Sequence, residues 1–247
     1  MTQRYSATQW LVAGLTLSLV ALVSQGMRST PELLAEARQG VDRGDASGGF
    51  REISYQTSDG GVIFGNLYGE GPHAVLLGHG AVFDKESWDH LARRLAAEGH
   101  TALAIDFRGY GKSKSGQSRG GLDEDIIGGV RYLREQGAAR VSVIGASMGG
   151  GAVGDAVAQL NPGEIDGLIL LAAVPTRSPE RLKGRKLFIV SGGDGSRSSV
   201  ERQFQAASEP KELRTLPGNA HAQHIFGTAL GEELTQIMLA WIDAGSG

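Results

Sequence analysis

Short apolar runs alternate with longer amphipathic stretches along most of the chain. From Phe50 onward, five runs are almost continuously apolar, which is typical of strands buried on both faces of a parallel sheet. They are AVLLG (74–78), TALAIDF (101–107), RVSVIGA (140–146), GLILLAAV (167–174) and KLFIVSG (186–192). Two earlier runs, FREISYQT and GVIFGNLYG, flank a turn signal at Asp59-Gly60 and predict an antiparallel hairpin. We therefore expect an α/β fold, a mostly parallel open sheet flanked by helices that starts with an antiparallel hairpin.

The stretches between these runs predict amphipathic helices. In residues 84–99, one apolar stripe comprises Trp88, Leu91, Ala92 and Leu95, and a glycine ends the stretch. Residues 230–244 repeat the pattern at the C-terminal end of the chain. The link between GLILLAAV and KLFIVSG is too short to hold a helical cap domain, so we expect an open, shallow site.

The first 49 residues have a different pattern. The run WLVAGLTLSLVALV (10–23) fits the apolar region of a secretory signal peptide and is shorter than the ~20 residues of a spanning helix. Residues 1–26 therefore predict a signal peptide, or an N-terminal membrane anchor if residues 7–26 act together. A signal peptide implies that the domain is exported, to the periplasm or outside the cell, and an anchor implies that it is attached to a membrane. The remaining alternative is that residues 1–26 form a helix that lies on the domain. Residues 27–49 resemble a linker, so the folded domain is expected to span 50–247.

Composition excludes several classes of function. The formal net charge of the 247 residues is −3, so no basic surface is predicted and nucleic acid is not an expected partner. The chain has no cysteine, which removes disulfides, thiolate catalysis and zinc–thiolate sites. Aromatic residues make up 6% of the chain, too few to line a deep apolar pocket.

The order of runs places several polar residues at one edge of the predicted sheet. In open α/β sheets, ligands bind outside the carboxyl ends of the strands. Ser147 and Asp194 follow apolar runs and His221 follows ELRTLPG, so all three are expected at this edge, as is His79. His73 precedes its run and is expected at the opposite edge.

Ser147 lies in the sequence VSVIGASMGGG, between a buried strand and a helix of small residues. A serine at the apex of such a tight turn needs small residues two positions before and after it, and Gly145 and Gly149 supply them. The same glycines fit a dinucleotide-binding pattern, but that pattern belongs after the first strand of its domain and needs a later Tyr-x-x-x-Lys, which is missing here. A helix N-cap is the simplest alternative for Ser147. A phosphate-loop reading of RGYGKS fails because Asp106 stands where a glycine is required.

Four stretches together resemble the α/β-hydrolase superfamily over roughly residues 50–245. They are LLGHGAVFDKESW for the His-Gly oxyanion loop, DFRGYGKS for the Asp-x-Arg-Gly turn, GASMGG for the nucleophile elbow and LPGNAHAQHIF for the histidine loop. Within the superfamily, the chain is most similar to small capless members of the dienelactone-hydrolase-like and serine-aminopeptidase-like groups. Serine, acid and histidine also follow one another in the order of this fold.

The resemblance implies a catalytic triad of Ser147, Asp194 and His221, with the backbone N–H groups of Ala81 and Met148 as the oxyanion hole. It implies a serine hydrolase of small carboxylic esters or thioesters that uses no cofactor and no metal, with peptidase, lactonase or cofactor-free lyase or peroxidase activity as possibilities. The family histidine is usually followed by glycine, whereas alanine follows His221 here. His224 is therefore a second candidate for the base, and His221 and His224 together are a weak candidate for a metal-binding pair. The alternative function is a catalytically inactive binding module of the same fold, exported or tethered at a membrane.

Overall fold

The computed structural model describes residues 49–117 and 121–244. The segment predicted as signal peptide or anchor (1–26) and all of the predicted linker (27–49) except Gly49 lie outside the described residues, so these predictions stay predictions. Within the described part of the chain, no helix has the length and apolar character needed to cross a membrane.

Eight strands form one sheet in the described residues. They are β1 (Arg51–Gln56), β2 (Val62–Tyr68), β3 (His73–Gly78), β4 (Thr101–Ile105), β5 (Arg140–Ala146), β6 (Gly167–Leu171), β7 (Arg185–Ser191) and β8 (Lys211–Leu216). The spatial order is β1-β2-β4-β3-β5-β6-β7-β8. Strand β2 pairs antiparallel with β1 and β4, and every other pairing is parallel. The predicted fold class is therefore confirmed, including the antiparallel hairpin at the start.

Five α-helices and three short 3₁₀-helices connect or flank these strands in the described residues. The α-helices are α1 (Asp89–Ala97), α2 (Leu122–Glu135), α3 (Met148–Gln159), α4 (Arg197–Ala206) and α5 (Gly231–Ala244). The 3₁₀-helices are Lys85–Trp88, Pro179–Arg181 and Ala222–Gly227. The stripe predicted from residues 84–99 is confirmed, because Trp88, Leu91, Ala92 and Leu95 are all fully buried.

The central strands β3 and β6 are buried at every position, and β5 at all but its first. Burial on both faces explains why their sequences lack polar alternation. The prediction of a strand over 167–174 is too long, since β6 ends at Leu171. Ala172 has a φ of 44°, which turns the chain away from the sheet although residues 172 and 173 stay buried. Apolar letters alone cannot separate a buried strand from a buried loop.

The segment between β6 and β7 holds only the three-residue 3₁₀-helix Pro179–Arg181. No cap domain is inserted there, as the short link in the sequence predicts. The carboxyl ends of β3, β5, β7 and β8 therefore meet the candidate site without a helical cover from this segment.

Candidate active site

Ser147 lies at the tip of the turn between β5 and α3 with an unusual backbone conformation, φ 49° and ψ −115°. Three main-chain hydrogen bonds hold it there: its N–H donates to the Leu171 carbonyl at 2.9 Å, and its carbonyl accepts from Gly151 at 3.1 Å and from Val174 at 3.0 Å. Its side chain makes no capping hydrogen bond to α3. Ser147 therefore occupies the N-cap position of α3, as the alternative expects, but its hydroxyl does not cap the helix and is available for another partner.

Gly145 and Gly149 are required by close backbone approach on either side of this turn. A Cβ at Gly145 would lie 2.5 Å from the Gly149 carbonyl oxygen, and a Cβ at Gly149 would lie 2.5 Å from the carbonyl oxygens of Gly78 and His79. Real Cβ atoms do not approach backbone so closely. The spacing G-x-S-x-G thus has the steric cause that the sequence analysis expects.

The structure brings Ser147, His221 and Asp194 into one hydrogen-bonded chain. The Ser147 hydroxyl lies 2.8 Å from His221 Nε2, and His221 Nδ1 lies 2.8 Å from Asp194 Oδ2. The other carboxylate oxygen of Asp194 accepts from the backbone N–H of Ser196 at 2.8 Å, which fixes the plane of the carboxylate. Because a carboxylate only accepts, His221 Nδ1 donates to it and Nε2 is left to accept the serine proton.

His224 does not join this chain. Its side chain is exposed and its ring packs against Phe83, with the ring centroids 4.9 Å apart. The residue after His221 has a second unusual backbone, since Ala222 has a φ of 50° and is buried. A left-handed conformation at this position explains why glycine is the usual residue there.

The predicted oxyanion donors lie on the two loops beside Ser147. Among the turn, loop and cap hydrogen bonds of the described residues, none is donated by the backbone N–H of Ala81 or of Met148. The peptide group that carries the Ala81 N–H is fixed from its other side, because the Gly80 carbonyl accepts from His79 Nδ1 at 2.9 Å and from the Phe83 N–H at 3.0 Å. In a trans peptide the N–H points opposite to the carbonyl, so these bonds also set the direction of the Ala81 donor.

His79 is a fully buried structural histidine. Its Nε2 accepts from the Phe107 backbone N–H at 3.2 Å, so Nδ1 carries the proton that is donated to Gly80. Burial lowers the pKa of His79, although its hydrogen bond to Gly80 and the charge of Asp106 oppose the shift. The ring is therefore neutral near pH 7 and ties the loop after β3 to the loop after β4.

Two buried ionic clusters support these loops, and the pattern of the sequence predicts neither of them. Lys85 Nζ lies 2.7 Å from Asp106 Oδ2, while Asp106 Oδ1 accepts from the Lys85 backbone N–H at 2.9 Å. Burial alone would lower the pKa of Lys85, but hydrogen bonds to Asp106 and Glu86 raise it above its ordinary value. In the second cluster, Arg108 is paired with Asp59 and Asp125. Asp106 and Arg108 belong to the Asp-x-Arg turn, which is the only signal in the sequence for either cluster.

A cavity of ≈ 390 Å³ opens beside the turn that carries Ser147. Met148 and Val174 line it near Ser147, and the ion-paired Arg177 lines it together with Asp123 and Asp155. Among the described residues, the large hydrophobic side chains exposed to solvent are Val82 at 79% and Val174 at 42%. Val174 lies next to the Ser147 turn, and Val82 lies in the loop that follows β3. The surface close to Ser147 is therefore apolar, and the part of the cavity lined by Arg177 and its acidic partners is polar.

Comparisons with known proteins agree with the fold. The family model described as serine aminopeptidase, S33, matches residues 70–191. A non-heme haloperoxidase of Rhodococcus erythropolis is 28% identical over 143 residues, covering 58% of this chain and 52% of the relative. The chain spans about half the length of the curated relatives it matches.

Solved structures resemble the fold over more of the chain. An esterase of Pyrococcus furiosus has a TM-score of 0.66 and 18% identity, covering 81% of this chain and 94% of its own. A dienelactone hydrolase of Anabaena variabilis has a TM-score of 0.67 and 20% identity, covering 79% and 98%. At these identities the likeness concerns the fold.

Proposed function

We propose that this chain, as a member of the α/β-hydrolase superfamily, is a serine hydrolase of small carboxylic esters or thioesters. The observation that carries the proposal is the chain of two 2.8 Å contacts from Ser147 through His221 to Asp194. A serine hydroxyl alone is a weak nucleophile near neutral pH, and an adjacent base oriented by a third group is what activates it.

In the proposed reaction, Ser147 Oγ attacks the carbonyl carbon of the ester while its proton passes to His221 Nε2. The tetrahedral intermediate then expels the alcohol or thiol, which takes that proton from His221, and leaves an acyl group on Ser147. In the second half a water molecule attacks the acyl carbon and loses a proton to His221. The bond between Ser147 Oγ and the acyl carbon then breaks, the carboxylic acid leaves, and the proton returns from His221 to the serine oxygen. Asp194 stays ionised and stabilises the imidazolium formed in each half.

Negative charge on the carbonyl oxygen of the intermediate would be met by the N–H groups of Ala81 and Met148. The Met148 donor lies at the first residue of α3, where the helix dipole adds positive potential. Removing one such donor typically costs about 3 kcal/mol of transition-state stabilisation. Because both donors are backbone groups, their loss must be tested through the side chains that hold the loops.

The absence of a cap between β6 and β7 supports small, soluble substrates. We expect kcat/KM for p-nitrophenyl acetate to exceed that for p-nitrophenyl palmitate. A stopped-flow burst of p-nitrophenol, with acetyl-Ser147 found by mass spectrometry of the acid-quenched protein, would identify the acyl-enzyme. Absence of both burst and turnover in folded protein would favour the binding-module alternative, and a clear preference for palmitate would contradict the argument from the open site.

A second candidate activity comes from the non-heme haloperoxidase relative. If hydrogen peroxide replaces water in the second half of the reaction, the same acyl-enzyme yields a peracid and free Ser147. We propose to test it by bromide oxidation with acetate and hydrogen peroxide present. Activity that disappears in Ser147→Ala would support it, and bromide oxidation that survives in that variant would exclude a serine-based route.

A further inference from the structure

Gln223 is a buried polar residue two positions after His221 and has no place in the reaction described above. Its side chain is 4% exposed. Its Oε1 accepts from the Gly80 backbone N–H at 2.7 Å, and its Nε2 donates to Ser87 Oγ at 2.6 Å. Both partners belong to the loop that follows β3, so one side chain joins the histidine loop to the oxyanion loop across 143 positions of sequence.

The backbone of the histidine loop makes this reach possible. The left-handed conformation of Ala222 separates two side chains that face different partners: His221 contacts Ser147, and Gln223 contacts Gly80. The loop is held upstream by the Ser191 hydroxyl, which donates to the Ala220 carbonyl at 2.7 Å. Gln223 is the corresponding fixed point downstream of His221.

Gly80 is where the three loops of the site meet. A Cβ built on Gly80 would lie 3.4 Å from Gln223 Oε1 and 3.5 Å from Ser147 Cβ. Its N–H is held by Gln223, and its carbonyl is held by His79 and Phe83. With its N–H engaged by Gln223, Gly80 cannot donate to a developing oxyanion, and the next N–H along this loop is that of Ala81.

We infer that Gln223 is a positioning residue, which fixes the oxyanion loop against the histidine loop so that the Ala81 donor and the His221 base keep their places relative to one substrate carbonyl. This inference rests on the proposed function for its catalytic consequence. The link itself is a property of the folded chain. Because an oxyanion donor acts on charge that develops only in the transition state, loosening the Ala81 N–H should lower kcat and leave ground-state binding nearly unchanged.

The test compares four full-length proteins: the wild-type chain, Gln223→Met, Gln223→Glu and Gln236→Met. Methionine has a similar size but cannot bind Gly80 or Ser87. Glutamate keeps an oxygen that accepts from the Gly80 N–H in either protonation state. Gln236 is an exposed glutamine on α5 whose amide contacts only Glu232, so Gln236→Met is the matched control for the exchange of side-chain type.

For p-nitrophenyl acetate we expect Gln223→Met to lower kcat about tenfold or more with KM changed less than about twofold, since an aligned oxyanion donor is worth 10²–10³ in kcat. Gln223→Glu should recover most of that loss, and Gln236→Met should match the wild type. Amide hydrogen exchange should become faster in residues 79–87 of Gln223→Met and stay unchanged in β5 and α3. This pattern of exchange also distinguishes local release of the loop from global unfolding.

The two measurements separate the inference from the proposed function. Exchange in residues 79–87 that is equal in the wild type and Gln223→Met overturns the link, whatever the activity. Faster exchange with unchanged kcat, or a loss that Gln223→Glu does not recover, overturns the positioning role. If the folded wild-type chain hydrolyses no ester or thioester, the proposed function fails and the catalytic role of Gln223 with it, while the exchange data still decide whether the link exists.

Discussion

The backbone of Ser147 allows a sharp test of how the turn is built. For a residue with a Cβ, φ 49° and ψ −115° lie outside the allowed regions, and such strain costs about 1–3 kcal/mol. Glycine adopts this conformation without strain, but its greater freedom in the unfolded chain costs about 0.5–1 kcal/mol. We therefore expect Ser147→Gly to be more stable than Ser147→Ala by about 1 kcal/mol, the reverse of the usual order. Both variants lack the hydroxyl, so the difference reports the backbone alone.

Urea unfolding at constant pH measures the two free energies, and thermal unfolding should show the same order by about 2–4 °C for a domain of this size. The matched control is the pair Arg202→Ala and Arg202→Gly at an exposed position within α4, where alanine should be the more stable by about 1 kcal/mol. If Ser147→Ala proves as stable as Ser147→Gly or more so, while the Arg202 pair behaves normally, the turn is not strained and the steric account of the G-x-S-x-G spacing fails.

Three further predictions follow from the same contacts. In ester hydrolysis, His221→Ala should lower kcat by about 10⁴-fold or more, while His224→Ala should leave it within about threefold; the reverse result would reassign the base. Lys85→Met leaves Asp106 buried without its cation and should lower the free energy of unfolding by about 3 kcal/mol, and a loss under 1 kcal/mol would show that the pair is not desolvated. Burial, helped by the charges of Arg140 and His100, lowers the pKa of His73 to about 4. The unfolded chain therefore binds a proton at His73 that the folded chain does not bind. Between pH 6.5 and pH 5 this residue lowers the free energy of unfolding by about 1.5 kcal/mol, a loss that His73→Gln should reduce in urea titrations.

Much of the fold could be predicted because burial on both faces leaves a direct mark on the sequence. The runs that became β3, β5 and β6 lack polar alternation, and the Asp59-Gly60 turn fixed the antiparallel start. The edge at which Ser147, Asp194 and His221 meet followed from a general property of parallel sheets. Their proximity needed no knowledge of the side-chain contacts, although their catalytic roles remain a proposal.

Other features had no signal that a single sequence could supply. Gln223 and Lys85 are polar residues in 3₁₀-helices, which are too short for a periodicity from which their burial could be inferred. Their partners lie far away in sequence and become neighbours only when the sheet order is known. Likewise, Ala172 is an apolar residue next to a strand, and only its positive φ ends the strand before it. The sequence therefore does not predict which polar residues of the connecting segments are buried.

The central claim is that Ser147 is an activated nucleophile, and labelling with a fluorophosphonate tests it most directly. The full chain and its Ser147→Ala variant would be treated with the reagent, digested and mapped by mass spectrometry, with circular dichroism showing that both are folded. The account predicts a single phosphonylated residue, Ser147, with no labelling in the variant. A folded wild-type chain that takes no label at Ser147, or equal labelling in the variant, would contradict it.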